Sequence, residues 1–336
     1  MGEAGMGRVA LVGRWMLCCI ALLLVFCFVQ DGMAKTKKKD LMIRTFDDLY
    51  EPSAVVFVGG GEFLIFEDDG KEMVSRYHLG EDGSGVLLNR HKYPGALGLS
   101  VTDIEGATKG SKDTVFIITS HSLNREGERR SKRELLLRVH PKERTGTEIL
   151  GSAGLWDGLI GELLKVDSSL ENRTKKLNVE GISFTRGGQV LMIGLRAPVY
   201  KGDAIIVLLE NPYGVGGHGS EPQFLRKPIL LDLGGAGIRA MTYDESSGYY
   251  FLVSEVRGKK GKMRPRLWSW DGGRTHDPIR MKFSGLKKLK NIEGLTFFRD
   301  GGKNLLLLVC DDGDKKKRQR AHYAIVEANI LRPKNN

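Results

Sequence analysis

Past residue 40 the apolar positions fall in short runs, among them Thr114 to Thr119, Val190 to Leu195, Ala204 to Leu209, Tyr249 to Val253 and Asn304 to Val309, with glycine-rich turns between them. Runs of that length with those breakers predict β-strands. A five-residue word organises them. Asn178-Val179-Glu180-Gly181-Ile182 returns as Asn291-Ile292-Glu293-Gly294-Leu295 and, altered, as Asp103-Ile104-Glu105-Gly106-Ala107. Aligned on this word, the chain divides into five units starting near Glu51, Asp103, Asn178, Gly237 and Asn291.

Each unit reads the same way. A short strand opens at the word, a glycine turn follows, and a second, more apolar strand ends in polar or charged residues: Asp68, Ser120-His121, Arg196, Ser254-Glu255 and Asp311-Asp312. After a variable loop comes a third strand, and fourth strands are expected at Ile229 to Leu233 and Ile279 to Phe283. Repeated units of three to four antiparallel strands predict an all-β fold, a β-propeller of five or six blades, with an antiparallel sandwich as the alternative. The last unit lacks a fourth strand, while an orphan strand, Leu41 to Phe46, precedes the first, so pairing the two would close the ring and remove its open edges. Within Gly154 to Val166, Leu155, Trp156, Leu159, Leu163 and Leu164 fall at helical spacing, which predicts one helix inserted before the third unit.

The N-terminus changes the compartment rather than the fold. Arg8 and Arg14 precede an apolar run from Trp15 to Val29 and a small-residue boundary at Gly32-Met33-Ala34, so residues 1–34 are expected to be a signal peptide and the protein periplasmic or secreted. That run is about 15 residues, short of the roughly 20 needed to span a bilayer, although retention as an anchor is the alternative. Residues 35–40 follow as a basic flexible segment, and 41–336 form the propeller, a monomer. Cys18, Cys19 and Cys27 lie in the leader, leaving Cys310 without an internal disulfide partner, so burial alone must hold the mature chain.

The net charge of +11 belongs to the mature part, because Arg8 and Arg14 cancel Glu3 and Asp31. It favours anionic partners. Three loops that follow second strands are basic: Arg125 to Arg133, Arg257 to Arg266 and Lys315 to Arg320. They lack interleaved aromatics, which argues against nucleic acid. Solvated hairpin loops are the plain alternative.

The words Asn178-Val179-Glu180-Gly181-Ile182, Gly194-Leu195-Arg196-Ala197-Pro198, Leu233-Gly234-Gly235-Ala236-Gly237-Ile238-Arg239, Leu267-Trp268-Ser269-Trp270-Asp271-Gly272 and Asn291-Ile292-Glu293-Gly294-Leu295 together resemble a bacterial exported family of unknown function, similar in pattern to the esterase-like phytase propellers. The resemblance implies a propeller and the location of its site. A phosphatase-like role is implied by analogy only.

In a propeller the first strand lines the channel and the antiparallel second strand ends at the same rim, so Glu51, Glu105, Glu180, Arg239 and Glu293 should converge with Asp68, His121, Arg196, Glu255 and Asp312. Glu180 can face Arg196, and Arg239 can face Glu255, as structural ion pairs. Glu293 with Asp311 and Asp312 has no cation in its own unit, and crowded carboxylates must be protonated, paired or metal-bound. Glu51, Glu105, Glu180, Glu293, Asp311 and Asp312 are therefore the candidate metal ligands, and an oxygen-only set suits Ca²⁺. His121 is the candidate general base, with Arg196 and Arg239 steadying negative charge. The expected function is binding or metal-assisted hydrolysis of an anionic small molecule such as a phosphate ester. The alternative is a non-catalytic scaffold that recognises glycan, peptide or protein on the basic rim.

Overall fold

The computed structural model describes residues 41–68, 73–80, 82–92, 101–141, 147–151, 154–215, 220–225, 227–258 and 261–333. The expected signal peptide and basic segment, residues 1–40, lie outside them, as do Asp69, Lys259, Lys260 and residues 216–219. Among the described residues no helix is long and apolar enough to cross a membrane.

Five antiparallel sheets make a propeller. Blade 1 is β2 to β5 (Pro52–Gly59, Glu62–Glu67, Met73–Leu79, Gly85–Lys92), blade 2 is β6 to β9 (Ile104–Lys109, Val115–Thr119, Leu136–Val139, Thr147–Gly151), and blade 3 is β10 to β13 (Asn178–Phe184, Leu191–Ala197, Ala204–Leu209, Ile229–Leu231). Blade 4 is β14 to β17 (Ala240–Asp244, Tyr249–Arg257, Met263–Trp270, Ile279–Lys282), and blade 5 holds β18 to β20 (Ile292–Asp300, Lys303–Cys310, His322–Glu327). There is no sixth blade among the described residues.

The ring closes as expected. The strand β1, Met42–Thr45, is the outermost strand of blade 5, with Met42 opposite Ile325 and Thr45 opposite His322. The first strands β2, β6, β10, β14 and β18 each pack against the next, and β18 returns to β2. The C-terminal strand β21, Arg332–Pro333, instead adds to the edge of blade 4 beside β17. Helix α1, Leu155–Val166, is the predicted insertion, and its apolar stripe of Leu155, Leu159 and Leu163 is buried against Val179, Leu195 and Ile205 of blade 3. A 3₁₀ segment, Ser168–Lys176, leads from it to β10.

The repeat word acquires a physical meaning. Its first letter, Asp103 or Asn291, sits at φ 64° or 51°, in the left-handed region that Asn and Asp tolerate best. Its glycine serves close packing: a Cβ on Gly106 would lie 3.1 Å from the Glu180 carbonyl, and one on Gly294 would lie 3.0 Å from the Val55 nitrogen. Between them, the carboxylate is the extra residue of a β-bulge, since Val179 pairs with Leu195 and Gly181 with Gly194, leaving Glu180 unpaired. Glu105 and Glu293 are bulged in the same way.

Candidate functional site: a charged ring and a cationic cleft

Register identifies the five equivalent inner positions as Ser53, Glu105, Glu180, Arg239 and Glu293. Glu51 is therefore not the blade 1 member. Ser53 is the bulged residue there, and Glu51 takes the place of Asp103 and Asn291, its carbonyl accepting from Asp68 N just as theirs accept from Ser120 N and Asp311 N. The sequence offered a carboxylate near the right place, and the two-residue offset shows only in the pairing.

Ring order decides the electrostatics. Arg239 stands between Glu180 and Glu293, the inner residues of the flanking blades. Its Nε lies 3.3 Å from Glu180 Oε2, and its Nη2 donates to Glu293 and, at 2.7 Å, to Asn291 Oδ1. The expected Arg239 to Glu255 pair is thus replaced by two partners from other blades. Arg196 does donate to Glu180, as expected, with its side chain half exposed and that of Glu180 only 1% exposed. Burial works against the charge on Arg239, yet Glu180, Glu293, Glu255 and Glu105 outweigh it and hold the guanidinium pKa above its ordinary value. Burial pushes Glu293 up to about 8, against the pull of Arg239.

Glu105 lies across the ring from Arg239, between Ser53 and Glu180. No described cation contacts it. Burial, with Glu180, Glu293, Asp68 and Asp103 adding repulsion, raises its pKa well above the carboxylate range and favours its neutral form. Asp68 and Asp103 meet nearby, and burial together with the Asp103 carboxyl pushes Asp68 up to about 7. Asp68 is exposed, and its contact with the Asp103 carboxyl favours its protonated form. Asp103 Oδ2 also accepts from Ser120 and, at 3.1 Å, from Ser122, and forms an ion pair with Arg133 Nη1 at 3.1 Å. Asp311 is pushed up to about 6 by burial and by Glu51, while Asn291 donates to it at 2.8 Å.

Two expected site residues turn away. Asp312 accepts from the backbone and the ring of His322 at 2.9 Å each, outside the ring of carboxylates. His121 is fully buried, its Nδ1 2.8 Å from the Thr119 carbonyl, and burial lowers its pKa to about 4. Beyond the end of β7 the chain turns at His121, whose φ is 53°, so that Ser120 and Ser122 reach the Asp103 carboxylate while His121 is buried beneath Trp156, whose indole donates to the His121 carbonyl. Of the candidate metal ligands, Glu105, Glu180 and Glu293 meet at one neck, with Asp311 and Glu51 farther out. Among the described residues no group of three or more His, Cys, Asp or Glu is arranged to hold a metal ion. The cation seated between Glu180 and Glu293 is the Arg239 guanidinium, so these two carboxylates do not fit a Ca²⁺ site while that pairing stands.

The channel narrows at this ring to a cavity of about 10 Å³, collared by Gly106, Gly181, Ala240 and Gly294. Above Arg196 and Arg239 opens a cleft of about 670 Å³, walled by Arg173, Lys176, Arg257 and Arg266, with Glu255 the lone acidic residue of its lining. Of the three basic loops only Arg257 to Arg266 reaches it. Arg129 instead binds Glu134 and Asp157 and lies 4.3 Å over Trp156, and Lys317 pairs with Asp314. Arg173 and Lys176 come from the inserted 3₁₀ segment, a contribution flagged in sequence only by basic residues immediately before the word at Asn178. The loop Gly234-Gly235-Ala236-Gly237 forms the remaining wall, and a Cβ on Gly237 would lie 2.0 Å from the Arg196 carbonyl, so only glycine lets this loop pack there.

A family model described as a protein of unknown function, DUF3616, matches residues 142–328, which include blades 3, 4 and 5 and the cleft. No curated protein matches the chain in sequence. Among solved structures, a structural genomics protein of unknown function from Bacteroides thetaiotaomicron is 9% identical with a TM-score of 0.40, covering 80% of this chain, which spans only 59% of that one. The allergen Mala s 1 of Malassezia sympodialis is 11% identical with a TM-score of 0.48, over 87% of this chain and 96% of that one. The catalytic domain of a GH62 α-L-arabinofuranosidase from Coprinopsis cinerea is 10% identical with a TM-score of 0.46, over 89% and 94%.

Proposed function

The chain belongs to the DUF3616 family, whose function is unknown, and we propose from its site that it is a binding propeller for an anionic small molecule of the phosphate ester class. The observation that carries this reading is that Arg196 and Arg239 converge on one buried carboxylate, Glu180, at the floor of a cleft walled by four further cations. Glu180 pins both guanidiniums, and about half of the Arg196 side chain remains open to the cleft. Cations held in place before the ligand arrives lose little entropy on binding, and planar guanidiniums suit the paired oxygens of phosphate or carboxylate.

Binding is favoured over hydrolysis because the carboxylates that would serve catalysis are engaged. Glu180 and Glu293 hold Arg239, and the neck beside Glu105 has room for about one water at most. Isothermal titration with inorganic phosphate and with phenyl phosphate tests the reading. The expected result is saturable binding, weaker at higher salt and weakened about tenfold or more in an Arg196→Gln, Arg266→Gln double variant. No binding of either probe, or unaltered affinity in the variant, overturns it. Release of phenol from phenyl phosphate overturns the preference for binding and makes the ring catalytic.

A further inference from the structure

We propose that the opposite end of the channel is a second and separate ligand site, built for a neutral sugar. Below the collar the channel opens into a chamber of about 700 Å³, within the range of small-molecule sites. Its composition follows from the blade repeat. Two residues after the collar position, register places Val56, Thr108, Ser183, Thr242 and Thr296 at equivalent points of the five first strands, opposite Leu64, Phe116, Met192, Phe251 and Leu307. Four of the five carry hydroxyls. One residue farther stand Phe57, Lys109, Phe184, Tyr243 and Phe297, so a tier of four aromatic rings follows the tier of hydroxyls. All ten line the chamber.

The aromatic rings also pack in the blade cores, Phe57 on Phe63, Phe184 on Phe116, Tyr243 on Tyr250 and Phe297 on Phe251, so they line the chamber in part, and it is the hydroxyl tier that packing does not explain. An inner strand that needed only to pack would carry aliphatic residues at the first tier, as blade 1 does with Val56. The hydroxyls are also weakly used by the protein. Thr296 Oγ1 accepts a long bond of 3.3 Å from Phe57 N, Ser183 donates to the Phe184 carbonyl at 3.4 Å, and Thr108 and Thr242 have no partner among the described residues. Hydroxyls that can both donate and accept, placed one step from aromatic rings, match the two faces of a sugar: its alcohols and its apolar C–H face, which stacks on aromatics.

The charges of the chamber argue for a neutral ligand. The buried carboxylate, Asp244, is taken up by Ser246 and by Asn304, whose Nδ2 lies 3.1 Å from Oδ2. Lys109, Arg186 and Arg299 are exposed. Nothing buried is left to balance a ligand charge, in contrast to the cationic cleft at the other mouth.

Saturation-transfer NMR with glucose, galactose, mannose and arabinose tests the proposal, with glucuronate as the charged control. The expected result is transfer to the ring C–H protons of at least one neutral sugar, abolished both by Phe297→Leu and by a Thr108→Val, Thr242→Val double variant whose melting temperatures stay near wild type. Inorganic phosphate, which addresses the other mouth, should leave the signal intact. Absence of transfer from all four sugars overturns the proposal, as does transfer that survives in both variants, that is confined to glucuronate, or that phosphate displaces.

Discussion

The Arg239 guanidinium binds Glu293, an inner residue of the next blade, and leaves Glu255 of its own blade aside. With Glu180 on its other flank it joins three successive blades through side chains that are 4%, 1% and 13% exposed. Removing one member of so buried a cluster leaves charge without compensation. Arg239→Gln should cost about 3–5 kcal/mol in denaturant unfolding. Because the stranded carboxylates can escape by protonation, the loss should be larger at pH 8 than at pH 5. A cost that does not change with pH would mean that protonation of Glu180 and Glu293 is not what relieves the loss of Arg239.

This cluster marks the boundary of what the sequence discloses. The blades, the closing strand β1 and helix α1 are written in local patterns: apolar runs, glycine turns, helical spacing. Glu180 and Arg196 pair within one hairpin, so the repeat alone brings them together. Strands β4 and β5 of blade 1 carry Arg76, His78, Asn89 and Arg90 among their apolar residues and give no clear apolar run. Pairing between blades depends on where each first strand is bulged, and the bulge at Ser53 puts that residue, not Glu51 two positions earlier, in the inner ring. A left-handed turn at His121 just past β7, likewise, buries its ring and aims Ser120 at Asp103. Neither offset has a signal in composition or spacing.

Stability should fall as the solution turns alkaline. Glu293, raised to about 8 from 4.5, and Asp311, raised to about 6 from 3.8, hold protons in the folded state that the unfolded chain has released, so their contribution is complete below pH 4 and is lost as pH rises through the folded values. His121 acts oppositely. Lowered to about 4 from 6.5, it makes the unfolded state the better proton binder between those values, and stability rises with pH there. His121 offsets one of these two carboxyl groups up to about pH 6.5. Above it Asp311 has largely titrated and the Glu293 contribution stands alone, so unfolding free energy should fall toward pH 8 by up to about 1.4 kcal/mol per pH unit. Glu293→Gln should flatten the decline, and an unchanged slope in that variant would assign the titration elsewhere.

Calcium should have no effect on the wild-type protein. The guanidinium already occupies the place between the two carboxyl groups that a cation would need, and a divalent ion would have to displace it from a buried, hydrogen-bonded position. Thermal melts in Ca²⁺ and in chelator should coincide. A Ca²⁺-dependent rise in melting temperature would show that the carboxylates prefer the metal and would restore the metal-assisted reading of the ring.

Gly237 should be as important to the cleft as any of its cations. Its Cα faces the backbone of Arg196, and a methyl group there would lie 2.0 Å from the carbonyl oxygen and 2.5 Å from the carbonyl carbon. Neither side can yield easily: Arg196 lies in β11, and the next residue of the loop, Ile238, donates its N–H to the Leu195 carbonyl at 2.9 Å. Gly237→Ala should therefore push the loop off β11 at a cost of about 1–3 kcal/mol and move Arg196 relative to Arg239, so that phosphate affinity falls along with the melting temperature. Gly187→Ala, in a turn with nothing near its Cβ, serves as the control and should leave both unchanged. If Gly237→Ala lowers the melting temperature yet binds phosphate as tightly as wild type, the spacing of the two arginines is not what the ligand reads.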